Sequence, residues 1–472
     1  MESFIRYAAQ IHPSERQLAL QEMEFYSFIH FTVNTYTDKE WGTGSEDPAI
    51  FNPAEFDANQ WVEACKAAGM RGLILTCKHH DGFCLWPSRY TEHSVKNSPW
   101  KNGEGDIVKE VADACRKGEM KFGIYLSPWD RHERTYGDSP RYNEFFLSQL
   151  RELLTRYGDI FCVWFDGACG EGPNGKRQVN DWDAYYALIR ELQPDAVISV
   201  CGPDIRWCGN EAGRCRESEW SVVPASLRNN EKIQEKSQQA DEREFAKRYD
   251  SQDQDLGSRD IIAHEPELVW YPAEVNTSIR PGWFYHASED DQIKSVDELL
   301  DIYYGAVGGN ATFLLNIPPD RRGLIHKNDV MRLRELGDRI RHTFKHNLAM
   351  NTSASASEQK DGYDAGHILD GNKDTYWTPE EGTEQAILEV DLLREVAFDH
   401  IILQEYRYGQ RIERFKLEYQ EAGDWKPLYA GTVVGHKRIF RFSAVTSRFI
   451  RLTITESRWC PTLSALEVYL SQ

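Results

Sequence analysis

A (β/α)8-like barrel followed by an antiparallel β-sandwich is the architecture that this 472-residue sequence predicts. Three features carry the prediction. Apolar strand-like runs alternate with amphipathic helix-like segments from Phe25 to Phe344, the pattern of a parallel sheet wrapped in helices. The strand-like runs are continuously apolar rather than alternating, as in strands buried on both faces. After Asn347 the texture changes to short alternating strands separated by turn residues, which suggests a sandwich. The expected domains are 1–346 and 347–472.

The elements follow in order. Phe25–Phe31 reads as the first strand. Asn59–Gly69 reads as a helix with Trp61, Ala64, Cys65 and Ala68 on one face. Gly72–Cys77 is the second strand and Ile107–Lys117 the next helix. Phe122–Leu126 and the helix Tyr142–Tyr157 form the third unit. Ile160–Phe165 and the helix Asp181–Leu192 form the fourth, and Ala196–Cys201 is the fifth strand. Trp220–Val223 is expected as a short sixth strand, and Leu268–Tyr271 with Glu274–Ile279 as the seventh. Asp297–Val307 is a helix, Thr312–Ile317 the eighth strand, and Lys327–Phe344 the closing helix. Arg228–Asp260, rich in Glu, Gln, Lys and Asp, reads as a solvated loop or surface helix, with a lid over the barrel mouth as the less favoured alternative. Ser353–Ser357 reads as a linker, followed by strands at Ala386–Val390, His400–Gln404, Phe415–Tyr419, Arg438–Phe442, Phe449–Thr455 and Ala465–Leu470.

Composition narrows the function. The 55 basic and 75 acidic residues leave a formal net charge of −20, which argues against a nucleic-acid partner. No segment has the apolar length to span a membrane. Met1–Arg6 lacks the apolar core of a signal peptide, and the ten cysteines form no C-x-x-C pair. A cytoplasmic location with reduced thiols is therefore expected. The 14 Trp and 22 Tyr offer flat apolar faces with polar edges, which suits sugars.

Polar groups recur where the strands stop. His30 ends or nearly ends the first, Lys78-His79-His80-Asp81-Gly82 follows the second, and Tyr125 and Ser127 lie at the end of the third. Asp166 ends the fourth in Val163-Trp164-Phe165-Asp166-Gly167, and Asp204 follows the fifth. In such folds the C-terminal strand ends carry the chemistry, and a carboxylate held there by aromatics suits a nucleophile or base. Neighbouring histidines on a strand are expected to point in opposite directions. Hydrogen bonding of His79 and His80 to substrate hydroxyls is therefore favoured over metal binding. Asp166 needs a second carboxyl as acid and base. Glu211, in a loop bounded by glycines and walled by Trp207, offers one, and Glu217, Glu219 and Glu274 compete with it.

These residues also form recognisable blocks. Phe28-Ile29-His30-Phe31 with Asn34–Gly42, Cys77–Phe83, Gly123–Ser127 and Val163–Gly167 together resemble glycoside hydrolase family 29, the retaining α-L-fucosidases. The resemblance implies Asp166 as nucleophile. Arg206-Trp207-Cys208-Gly209-Asn210-Glu211 resembles the subgroup specific for α-1,3/1,4-linked fucose (Lewis a and x type), which implies Glu211 as acid/base. It further implies a fucose pocket lined by His30, Trp41, His79, His80, Tyr125 and Trp164, with Glu40 and Trp283 alongside. The implied substrate is a fucosylated oligosaccharide or glycoconjugate. The implied mechanism is double displacement, with carboxyls about 5–5.5 Å apart and no catalytic cofactor. A broad-specificity fucosidase and a non-catalytic glycan-binding protein remain the alternatives.

The C-terminal region resembles a discoidin-like (factor 5/8 type C) or family 32 carbohydrate-binding module. Ile368–Trp377 and the closing Ala465–Tyr469 carry the likeness. It implies a structural calcium held by Asp370, Asp374, Thr375 and Glu467, oxygen ligands of the kind calcium takes.

Overall fold

The computed structural model describes residues 2–237 and 255–471. Its first part holds ten strands: β1 (Phe25–Ile29), β2 (Gly72–Lys78), β3 (Lys121–Leu126), β4 (Cys162–Phe165), β5 (Val197–Val200), β6 (Arg206–Trp207), β7 (Val222–Pro224), β8 (Leu268–Trp270), β9 (Ala273–Ser278) and β10 (Thr312–Asn316). Eight of them form one sheet in the order β5-β4-β3-β2-β1-β10-β9-β6. Neighbours run parallel, and a parallel bridge between Ser199 and Ile205 closes the ring between β5 and β6. The chain is thus a (β/α)8 barrel in this part.

Two of the sequence expectations are corrected. The sixth barrel strand is Arg206–Trp207, not Trp220–Val223. The latter segment instead contributes β7, which pairs antiparallel with β8 in a separate two-stranded sheet. The expected seventh strand is therefore two elements, of which only β9 belongs to the barrel. A two-residue strand carries too little pattern for periodicity to find.

Helix starts are set by side chains that cap free backbone N–H groups. Asp57 accepts from Asn59 and Gln60, Asp106 from Lys109, and Asp181 from Ala184. Ser295 and Glu298 form a reciprocal capping box. The barrel interior packs Tyr26, Phe28, Ile74, Tyr125, Cys162, Trp164, Val197 and Leu314 into one cluster. The outer faces of the strands pack against the helices in a second, larger cluster.

The second part is antiparallel: β11 (Ser353–Ala356), β12 (Ala386–Gln404), β13 (Ile412–Glu421), β14 (Asp424–Thr432), β15 (Arg438–Ser457) and β16 (Ala465–Tyr469). The stretch expected as a linker is an edge strand, β11, paired with β12. Two pairs of expected strands are each one long strand, β12 and β15. Register shifts between Asp391 and Val396 and between Phe398 and His400 break their pairing. Such irregularities let a long strand bend and serve both layers of a sandwich. Its core is a separate cluster around Trp377, Phe398, Phe415 and Phe440.

None of the ten cysteines forms a disulfide. Among the described residues, no helix is long and apolar enough to cross a membrane. Of the acidic stretch Arg228–Asp260, Asn230–Lys236 is a helix, and residues 238–254 lie outside the described residues.

Candidate active site

Side chains on a strand alternate between faces, so the residue two beyond an interior one reaches the barrel mouth. Phe28 and Trp164 lie in the barrel interior, and the next residues of that parity are His30 and Asp166. Both line a cavity of about 480 Å³, mouth included, with Glu40, Trp41, His79, His80, Glu211, Asn276 and Trp283.

The second strand breaks the alternation. Thr76 pairs with Tyr125 and Lys78 with Leu126, leaving Cys77 as an extra residue, and the strand ends at Lys78. His79 and His80 therefore lie in a turn, with rings 4.1 Å apart and both against the cavity. The expectation that they diverge is wrong, because it assumed an unbroken strand.

Asp166 is held on both oxygens. Oδ1 accepts from the Ala168 N–H at 2.9 Å and Oδ2 from the Tyr125 hydroxyl at 3.0 Å. Tyr125 stacks on Trp164 on one side and His79 on the other, which fixes the donor. Gly167 is required here by close approach. A Cβ on it would sit 2.2 Å from Ser237 Oγ, at the end of the helix Asn230–Lys236.

The hydrogen-bond network fixes two histidine tautomers. Ser127 donates to the Trp129 carbonyl at 2.6 Å, so its oxygen must accept from His80 Nδ1–H at 2.7 Å. His80 Nε2 then carries a lone pair, 3.7 Å from Asp166 Oδ2. Asn316 donates its amide N–H groups to Ser278 and to the Trp283 carbonyl. Its oxygen therefore accepts from His30 Nδ1–H at 2.8 Å, leaving His30 Nε2 as the acceptor. Burial pushes His30 down to about 3, against the Asn316 bond, and His80 down to about 4, against the nearby Asp166 charge. It pushes His79 well below the usual imidazole range. At neutral pH the three rings are uncharged, and His30 and His80 each present one lone pair, suited to accepting sugar hydroxyl protons.

The rival carboxyls separate cleanly. Glu274 lies inside the barrel beneath the cavity, accepting from Trp164 Nε1 at 2.8 Å and the Tyr26 hydroxyl at 2.6 Å. Burial raises it to about 7. Glu219 is fully buried in ion pairs with Arg206 and Arg216. Glu217 is exposed and lines a different, open cleft. Glu211 alone of the four lines the cavity with Asp166. Its loop is bounded by Gly209 and Gly213, whose φ values of 101° and 74° favour glycine. Within it, the Asn210 side chain accepts from the N–H groups of Ala212 and Arg214. Trp283 Nε1 donates to Glu211 Oε2 at 3.0 Å. Glu40 shares the cavity but is committed to the Trp283 loop, accepting from Trp283 N at 2.8 Å and His286 Nε2 at 2.6 Å.

One donor atom from each of His79, His80 and Asp166 lies within 4.8 Å of the others, so the cluster could also hold a cation. Asp204, at the fifth strand end, is not in the cavity. It is buried against Arg16 and Arg190 and accepts from Ile198 N–H. Phe28, Ala168 and Asn276 line the cavity and Asn316 orients His30, yet none was picked out from sequence. Phe28 and Asn276 share strand parity with His30 and Glu274, which was the signal available.

In the second domain Asp370 and Thr375 share one turn. The Thr375 hydroxyl lies 2.7 Å from Asp370 Oδ2 and 2.9 Å from the Asn372 carbonyl. Asp374 is ion-paired with Arg407, and Glu467 accepts from the Tyr469 hydroxyl at 2.8 Å. The turn therefore gathers three oxygens, while the other two carboxylates are engaged by protein donors.

Comparison with known proteins gives the family. Residues 8–343 match the family model described as alpha-L-fucosidase, and residues 352–467 match the F5/8 type C domain. The chain is 43% identical to alpha-L-fucosidase 1 of Arabidopsis thaliana, over 98% of this chain and 88% of that protein. A crystal structure of a putative alpha-L-fucosidase from Bacteroides ovatus is 47% identical, with a TM-score of 0.86 over 100% of this chain and 76% of that one. A Ruminococcus gnavus family 29 fucosidase in complex with fucose is 33% identical, with a TM-score of 0.85 over 98% and 95%.

Proposed function

This chain belongs to the α-L-fucosidase family, glycoside hydrolase family 29, with a C-terminal factor 5/8 type C domain, and from that premise we propose a retaining exo-α-L-fucosidase acting on α-1,3/1,4-fucosylated glycans of the Lewis a and x type. Asp166 attacks the anomeric carbon while Glu211 protonates the departing glycosidic oxygen, giving a fucosyl-enzyme. Glu211 then removes a proton from water, which attacks the same carbon and releases fucose with retained configuration. The observation that carries the reading is the sharing of one cavity by Asp166 and Glu211, with the rival carboxyls buried, paired or outside it. Neutral His30 and His80 accept the sugar's hydroxyl protons, and Phe28 with Trp283 supplies an apolar wall for the C6 methyl. A methyl contact is worth only about 1–3 kcal/mol, so hydroxyl stereochemistry dominates selection.

Asp166→Asn tests the nucleophile: residual turnover of a fucoside near the wild-type level rules the assignment out. Glu211→Ala should slow substrates with poor leaving groups most and respond to azide. A uniform loss without azide response removes Glu211 from the role. Linkage preference is read by comparing an aryl α-L-fucoside with Lewis a and Lewis x trisaccharides, and equal or better activity on the aryl fucoside counts against the Lewis-type reading. Full activity after treatment with EDTA is expected, because the histidine cluster acts through hydrogen bonds. The Asp370–Thr375 turn is proposed to hold a structural calcium, which would draw Asp374 away from Arg407.

A further inference from the structure

We infer that the C-terminal sandwich is part of the catalytic apparatus: Arg438, Thr432 and Gln410 are positioning residues that hold the outgoing limb of the Glu211 loop. This rests on Glu211 being the proton donor. The barrel leads into that loop with only a short strand. Its sixth strand, Arg206–Trp207, is two residues long. The incoming limb is fixed to β9 by Arg206 N–H to the Pro272 carbonyl and Cys208 N–H to the Glu274 carbonyl, both 3.0 Å. The outgoing limb, residues 217–222, does not continue into a barrel helix. It runs between β8, with which Val222 pairs, and the second domain.

There it is held at successive residues. Arg438 Nη1 donates to the Glu217 carbonyl at 3.0 Å. The hydroxyls of Ser218 and Thr432 are 2.5 Å apart. The Gln410 side-chain oxygen accepts from Ser221 N–H at 2.7 Å and Val222 N–H at 3.2 Å. Asn310, at the barrel edge, relays a further tie. It donates to the Glu219 carbonyl at 2.8 Å and accepts from His436 N–H of the sandwich at 2.7 Å. Across the neck of the loop, Arg206 pairs with Glu219 and donates to the Trp220 carbonyl at 2.7 Å. Both limbs are therefore fixed, the incoming one by the barrel and the outgoing one jointly by the sandwich and by Arg206, Asn310 and Tyr271 of the first domain, the last donating its N–H to the Ser221 carbonyl at 2.7 Å, and Glu211 sits between them. Arg438 is 6% exposed and Gln410 fully buried, so these contacts are shielded from competing water.

The sandwich cannot simply be deleted to test this, because Ile402, Ile439 and Tyr469 pack into the barrel's own cluster. Point variants separate the roles. Arg438→Ala should lower kcat about tenfold on a fucoside with a poor leaving group, out of the roughly 10²–10⁴ that a positioned acid supplies. KM and turnover of an activated aryl fucoside, which needs little protonation, should change less than twofold. Arg438→Lys, which keeps a donor for Glu217, should recover most of the loss. Arg441→Ala, which removes another barrel–sandwich ion pair, to Asp301, should leave both substrates unaffected. Equal losses on both substrates, or none on either, overturn the inference. Glu211→Ala is run in parallel. If it shows no leaving-group dependence, the acid assignment has failed; if it does and Arg438→Ala does not, the positioning role has failed.

Discussion

Replacing Ser127 by alanine tests the tautomer argument at its root. Ser127 accepts from His80 Nδ1–H and donates its hydroxyl hydrogen bond to the Trp129 carbonyl. Both His80 and Ser127 are buried, at 2% and 0% exposure, so water cannot readily replace the lost hydroxyl. Two outcomes are open to the ring. It can keep Nδ1–H unpartnered, at a cost of about 1–3 kcal/mol for a buried orphan donor. Or it can move the proton to Nε2 and donate to Asp166, 3.7 Å away. The second route removes the lone pair proposed to meet the sugar and draws electron density from the carboxylate proposed as nucleophile. The second route avoids that cost and is expected, so the competent tautomer lies higher by about 1–3 kcal/mol and kcat/KM should fall roughly 5- to 160-fold, taking 1.36 kcal/mol per decade. The assay is kcat/KM on an aryl α-L-fucoside, paired with ¹⁵N NMR of the labelled histidines, which reports which ring nitrogen is protonated. A variant within twofold of wild type, or a wild-type spectrum without an Nδ1–H signal for His80, would refute the reasoning.

Glu274 gives a pH signature. Burial raises it from the ordinary carboxyl range to about 7, so the folded protein binds its proton more tightly than the unfolded chain does. That stabilisation is complete below about pH 4.5 and is lost as pH rises through 7. The stability of wild type relative to Glu274→Gln should therefore fall between pH 5 and pH 9, by up to about 3 kcal/mol. Denaturant midpoints across that range check it, and a difference that is constant with pH would sink the idea. For the C-terminal turn, millimolar calcium should raise the unfolding midpoint by a few degrees, since a site filled at 100 times its Kd adds about 2.7 kcal/mol. Asp370→Ala should abolish the shift without altering turnover of small fucosides, and a wild-type midpoint indifferent to calcium would remove the site.

Where the sequence was legible, one periodicity was at work. Five of the eight barrel strands are apolar runs of four to seven residues, buried on both faces, and a run of that kind can be read directly. The strand-end residues His30, Asp166 and Tyr125 were found for the same reason. Reading failed where local geometry departed from that period. β6 is two residues with no run to see. The extra residue at Cys77 moved both histidines to the cavity side, a slip that no residue type announces. β12 and β15 read as four strands because their bends interrupt the alternation. Asn316 was invisible for another reason. Its part is to accept one N–H and donate two, and only tertiary contacts assign that.

The carboxylates show how far such reasoning extends. On residue pattern alone Glu211, Glu217, Glu219 and Glu274 competed for one role, and the family resemblance pointed to Glu211. Three-dimensional context gives each a distinct environment. Glu274 is desolvated and bound to two aromatic donors, so it braces the cavity floor. Glu219 is neutralised by two guanidinium groups and stitches the loop's neck. Glu217 faces solvent and contributes its backbone carbonyl rather than its side chain. Only Glu211 combines access to the cavity with a polar donor, Trp283 Nε1, to orient it. Two of the others, Glu217 and Glu219, lie on the limb that carries Glu211. Their competition in the sequence thus reflects a shared structural task, because a short barrel strand must be extended by ion pairs and by a second domain before one carboxyl can be held in place.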